Sequence, residues 1–147
     1  MQVSQKGINL IKEFEGFHPT PYKCPAGKDT IGYGHVIINP SPITKVTEEA
    51  AYNLLKNDLL KIEYYLKNII KVELSKGQFD ALSSLIYNWG FRNFGNSKGL
   101  KALNETNYSK AAIEFFSKEK GVVNIKGKFS KGLYRRRRAE LELWNEE

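Results

Sequence analysis

Between Thr47 and Ile69 the apolar residues Ala51, Leu54, Leu55, Leu59, Ile62, Leu66 and Ile69 recur at helical spacing. Thr47 is placed to cap this run, and Glu48 and Glu49 fall in the first turn, where the helix dipole favours carboxylates. About six turns of helix reach roughly 33 Å, near the diameter of a small domain. Such a helix is expected to connect two lobes, so it decides where the segments before and after it can pack.

The segment before it changes pattern twice. Ser4 can cap a first helix whose apolar positions Ile8, Ile11 and Phe14 share a face, with Gly16 as the stop and Glu15 at the very end. From residue 17 to 38, Pro19, Pro21, Pro25 and Gly27 punctuate the chain, while Tyr22, Thr30, Ile31, Tyr33 and Val36 favour strands. This predicts a small twisted antiparallel sheet, followed by a loop over residues 39–45 that contains Pro40, Ser41 and Pro42.

The segment after the long helix is helical throughout. Ser75 and Gln78 form a capping box ahead of Phe79, Leu82, Leu85, Ile86 and Trp89, and Gly90 ends that helix. Shorter helices are expected around 99–103 and 108–116, and a last one carries Leu133, Leu141 and Trp144 beside Arg135, Arg136, Arg137 and Arg138. Strand is expected only in the first quarter, so the class is α+β, mostly helical. The expected division is a single domain over 1–147, with a sheet lobe at about 15–45, a connecting helix at about 47–70 and a helical lobe at about 75–147.

Several function classes are set aside at this stage. Cys24 is the only cysteine, so no disulfide can form within the chain, and no group of residues has metal-ligand spacing. Neither a metal nor a cofactor is expected. The N-terminal residues lack both a signal-peptide core and a membrane span, so a cytoplasmic location before any release is expected. The net charge of +7 draws the chain to polyanions in general. Four consecutive arginines on a helix point in all directions and cannot form one phosphate-tracking face, so no dedicated nucleic-acid role is expected.

A lone glutamate at a helix end is ordinarily a solvated surface residue. The surroundings of Glu15 are more specific. Glu15 is followed after eight residues by Cys24 and after five more by Thr30, which opens the segment TIGYGH. The stretch EFEGFHPTPYKCPAGKDTIGYGH, residues 13–35, resembles the active-site segment of phage-type lysozymes, in which Asp, or less often Cys, stands at the middle position. FDALSSLIYNWG (79–90), FGNS (94–97), LNETNYSKAAIEF (103–115) and GLYRRRRAE (132–140) agree with that family in order and spacing, so the resemblance spans essentially the whole chain.

The resemblance implies a lysozyme-like two-lobe fold that hydrolyses the β-1,4 bond between N-acetylmuramic acid and N-acetylglucosamine in peptidoglycan. Glu15 would be the general acid, Cys24 would take the place of the usual aspartate, and Thr30 would hold water or support the second group. Substrate contacts would fall at Val36, Tyr87, Ser97 and Glu114. His35 and Asp58 would pair as structural support. A thiol with an ordinary pKa near 8.5 is mostly neutral at pH 7, so Cys24 can supply negative charge only if neighbours such as Lys23 and Lys28 lower that pKa. Asp29 is the nearest carboxylate, but strand alternation points it away from Thr30.

The implied setting is a monomeric endolysin made in the host cytoplasm, released to the periplasmic wall through a separate pore-forming protein. Three other readings remain open from sequence: a lytic transglycosylase on the same fold, a murein-binding protein with weak catalysis, and a basic protein that disrupts membranes through its last helix.

Overall fold

The computed structural model describes residues 1–38 and 43–146. Among them are seven helices, a three-stranded antiparallel sheet and a two-stranded one, so the chain is α+β and mostly helical, as its sequence predicts. The chain divides into two compact units, Asn9–Lys61 and Met1–Ile8 with Ile62–Glu147. The long helix therefore contributes to both, and the first residues of the chain belong with the helical unit.

In the unit Asn9–Lys61, α1 (Gln5–Glu15) stops where Gly16 adopts φ +71°, a left-handed conformation that glycine takes without steric cost. β1 (His18–Lys23), β2 (Asp29–Gly32) and β3 (His35–Val36) pair in that order. Tyr22 lies opposite Thr30 and Thr30 opposite Val36, which sets these three side chains in a row on one face. Lys23 lies opposite Asp29 on the other face, where Lys23 Nζ is 2.6 Å from Asp29 Oδ1. Asp29 thus points away from Thr30, as alternation requires.

Ile11, Ile31, Ala51 and Leu55 lose all solvent exposure in this unit. Each large apolar side chain buried in this way contributes about 1.5–3 kcal/mol. The long helix α2 (Glu48–Ile69) starts behind Thr47, whose Oγ1 accepts the Ala50 N–H at 3.1 Å. Gly32 lets the sheet approach this helix, since a Cβ there would lie 3.0 Å from Ala51 Cβ. Of the loop expected over 39–45, residues 39–42 lie outside the described residues, and 43–45 have no regular structure.

In the helical unit the start of the chain is tied down by charge. Val3 N–H donates to Glu63 Oε2 at 2.8 Å, and both the N–H and the hydroxyl of Ser4 donate to the buried Asp80 carboxylate. α3 (Lys76–Trp89) has the expected capping box: Ser75 Oγ accepts the Gln78 N–H at 3.1 Å, and Gln78 Oε1 accepts the Ser75 N–H at 2.9 Å. α4 (Phe91–Gly95) is a short turn of helix that the sequence reading did not separate from its neighbours. α5 (Lys98–Asn104) packs on α6 (Tyr108–Phe116), and α7 (Lys131–Trp144) packs on α3 and α6. Phe94, Phe115, Phe116 and Trp144 form a continuous aromatic series with successive centroid distances of 5.3, 5.7 and 5.6 Å.

Two expectations change here. Strand is not confined to the first quarter: β4 (Asn124–Ile125) and β5 (Lys128–Phe129) form a hairpin. Its turn residues Lys126 and Gly127 have φ +51° and +80°, the backbone pattern that joins two strands most tightly. Two residues per strand give no readable alternation, and lysine is an unusual occupant of the first turn position, so the sequence does not announce it.

The arginine run is also more differentiated than its sequence. Arg135 and Arg138 are exposed, whereas Arg136 and Arg137 are buried with Glu140. Arg137 Nη2 donates to Glu140 Oε2 at 2.9 Å, and Arg137 Nε lies 2.6 Å from Oε1. Ser84 Oγ also donates to Glu140, at 2.5 Å, which joins α3 to α7. Half of the run therefore holds the core together.

Candidate active site

Glu15 is set by the abrupt end of α1. It is half-buried, and its carboxylate rests against the backbone of Gly34 in the turn between β2 and β3. Gly34 has φ +85°, and a Cβ at that position would come within 2.5 Å of Glu15 Oε1. The turn therefore brings bare backbone against the acid, which no larger residue allows.

Cys24 follows β1, in a tight turn where its N–H donates to the Lys28 carbonyl at 3.0 Å and the Gly27 N–H donates to the Cys24 carbonyl at 2.8 Å. Burial alone would raise the thiol pKa, but the backbone N–H groups of Lys28 and Ala26, the Thr30 hydroxyl and the Lys28 charge together bring it below the ordinary value. The expectation about neighbouring cations holds for Lys28. It fails for Lys23, which does not contribute to the shift and instead pairs across the strands with Asp29.

Thr30 is almost wholly buried, and its Oγ1 donates to the Lys28 carbonyl at 2.9 Å. The same hydroxyl is within reach of the Cys24 sulfur. Having one proton, it can serve the thiolate only by releasing the Lys28 carbonyl. The Cys24 charge state and the Thr30 rotor are therefore linked.

Tyr22 completes the group and was passed over in the sequence as a mere strand former. Burial raises its hydroxyl pKa, and the negative charges of Glu15 and Cys24 raise it further. Tyr22, Glu15 and Cys24 thus share one electrostatic environment, beside the cross-strand neighbour Thr30. The available signal was the pairing of Tyr22 with Thr30, which needs the strand register. Gly34 was also missed, because its role depends on what it faces.

His35 and Asp58 meet at 2.7 Å, Nδ1 to Oδ2, both side chains only about a fifth exposed (22% and 21%), and they join β3 to α2. Val36 is exposed at the end of the row that contains Tyr22 and Thr30.

The other sequence-predicted contacts belong to the helical unit. Ser97 and Glu114 line one hollow of about 240 Å³ together with Trp89. Ser97 Oγ caps α5 by accepting the Leu100 N–H at 3.1 Å and donates to the Phe94 carbonyl at 2.7 Å, so the hydroxyl has acceptor capacity left but no spare proton. Glu114 lies 3.8 Å from Lys120. Tyr87 is half-buried on α3 and does not line that hollow. Among the described residues no group of acidic, histidine or cysteine side chains could hold a metal ion, and no helix is long and apolar enough to cross a membrane.

Known proteins resemble this chain over almost its whole length. The chain is 40% identical to an endolysin of Acyrthosiphon pisum secondary endosymbiont phage 1, across 98% of each chain. It is equally similar, at 40%, to an endolysin of Bacillus phage B103, but there 98% of this chain spans about half (54%) of the longer protein. The muramidase domain of SpmX from Asticaccaulis excentricus superposes with a TM-score of 0.85 at 34% identity, covering 99% of both chains. Residues 12–140 match the family described as phage lysozyme. The chain belongs to the phage lysozyme family and is a lysozyme-type glycoside hydrolase.

Proposed function

We propose that this chain is a muramidase that cleaves the β-1,4 bond after N-acetylmuramic acid in peptidoglycan, with Glu15 as the proton donor. The observation that carries the assignment of residues is the shared environment of Glu15, Tyr22 and Cys24, next to Thr30 on one sheet face. As the glycosidic bond breaks, Glu15 protonates the departing oxygen and positive charge develops at the anomeric carbon. Cys24 in its thiolate form stabilises that charge. Thr30, whose hydroxyl proton turns from the Lys28 carbonyl to that thiolate, holds the water that completes the reaction by accepting from it. Val36, Tyr87, Ser97 and Glu114 contact the glycan or its peptide, and the His35–Asp58 pair keeps β3 in place against α2.

The protein acts on the wall as a monomer, after accumulating in the host cytoplasm and leaving through a pore made by a separate membrane protein. The test compares the native chain with Glu15→Gln on purified murein, with the soluble products weighed by mass spectrometry. Reducing muropeptides from the native chain, and a loss of about a hundredfold or more in the variant, are expected. Equal activity of the two proteins overturns the role of Glu15, and anhydro products would replace hydrolysis by transglycosylation.

A further inference from the structure

The helical unit carries a feature that extends well beyond the proposed glycan contacts at Ser97 and Glu114. The hollow beside Ser97 is continued by two more, of about 440 and 510 Å³. The first and second share Lys98 and Lys120, and the second and third share Lys101, so together they form one groove across α5 and α6. Lys110 lines its middle and Lys71 its far end. Only two carboxylates, Glu105 and Glu114, stand among these five ammonium groups, and Glu114 is already engaged with Lys120. Among the described residues, Lys71, Lys98, Lys101 and Lys110 have no carboxylate at ion-pairing distance. Like charges gathered around a concave surface repel one another, and a bound polyanion relieves that repulsion.

The chemistry of the lining narrows the ligand. No aromatic side chain lines the second or third hollow among the described residues, so nucleic-acid bases would find no stacking platform there. Lysine ammonium groups are donors only, and the sole side-chain acceptors in the second hollow are the two carboxylates. A neutral peptide laid in it would leave the charge of the hollow's four lysines uncompensated. A phosphodiester chain brings the opposite requirement, since it is rich in acceptors, carries a fixed charge at each repeat and has few donors.

We propose that this groove binds a linear polyol phosphate, an anionic polymer of the bacterial wall, and holds the enzyme at the wall separately from the residues that cut the glycan. The assignment does not rest on the glycosidase roles given above. It is tested by titrating the native chain with soluble poly(glycerol phosphate) at about 0.1 M salt. The comparison uses Lys98→Gln/Lys101→Gln/Lys110→Gln and an equally neutralised control, Lys6→Gln/Lys126→Gln/Lys128→Gln, whose lysines lie outside the groove. All of these positions are exposed, and equal melting temperatures confirm that the variants fold.

The groove variant is expected to bind at least tenfold more weakly, with a salt dependence shallower by about two charges, while the control stays within about twofold of the native chain. Equal losses in the two variants would overturn the proposal in favour of net charge alone. So would tighter binding of a single-stranded DNA of matched charge than of the polyol phosphate.

Discussion

Replacing Gly34 by alanine separates the seating of the acid from the stability of the fold. At φ +85° a Cβ costs about 1–2 kcal/mol in backbone strain. In a domain of this size that lowers the melting temperature by roughly 2–8 °C, which leaves the protein folded at 25 °C. The larger effect is local. The new methyl would start 2.5 Å from Glu15 Oε1 and 2.9 Å from its carboxyl carbon, where about 3.5 Å is the closest comfortable approach. The carboxylate must therefore move by about 1 Å, and a displacement of that size costs about a hundredfold in a reaction that depends on proton transfer.

Gly127→Ala is the control, because Gly127 has φ +80° with nothing within 4 Å of the added Cβ. Both variants should lose similar stability in thermal melts, and only Gly34→Ala should lose activity, chiefly in kcat. A folded Gly34→Ala enzyme within a few-fold of native kcat would refute the idea that the turn seats Glu15. An equal loss in Gly127→Ala would refute it as well.

Three further outcomes follow from the same geometry. Because the Cys24 pKa is lowered but still governs a thiol, the thiolate share falls as pH drops, whereas an aspartate stays charged down to about pH 4. The ratio of native to Cys24→Asp kcat/KM should therefore rise with pH between about 6 and 8, in step with the rate of iodoacetamide alkylation; a flat ratio removes the thiolate from the mechanism. Glu140→Gln leaves two buried arginines without their carboxylate and should cost about 3–5 kcal/mol in urea unfolding, while Arg138→Gln on the exposed side should change little. A double-mutant cycle of His35→Asn and Asp58→Asn should return a coupling of about 1–3 kcal/mol for their 2.7 Å contact, and additive effects would show that the pair does not hold β3 to α2.

Much of the molecule was legible in the sequence because it is set by residues close together in the chain. Ser75 and Gln78 announce the start of α3, Gly16 announces the end of α1, and alternation around Thr30 sends Asp29 to the opposite face. These signals work because a cap, a left-handed glycine and a pleat each act over a few residues. The candidate site was implied by the resemblance of residues 13–35 to phage-type lysozymes, and that stretch is short because one helix end and one hairpin supply Glu15, Cys24 and Thr30.

The tertiary structure decided what depends on partners far apart in sequence. Four identical arginines carry no mark of which two will be buried, and the choice follows from where Ser84 and Glu140 meet them. Gly34 is one glycine among twelve until the hairpin folds it against Glu15. Tyr22 gains its place beside the acid and the thiol only through the pairing of β1 with β2. Lys23, which adjoins Cys24 in sequence, is drawn off to Asp29 by that same register. Sequence proximity fixes local conformation through sterics and hydrogen bonding, whereas burial, charge environment and close approach are set by whichever distant side chains the fold brings near.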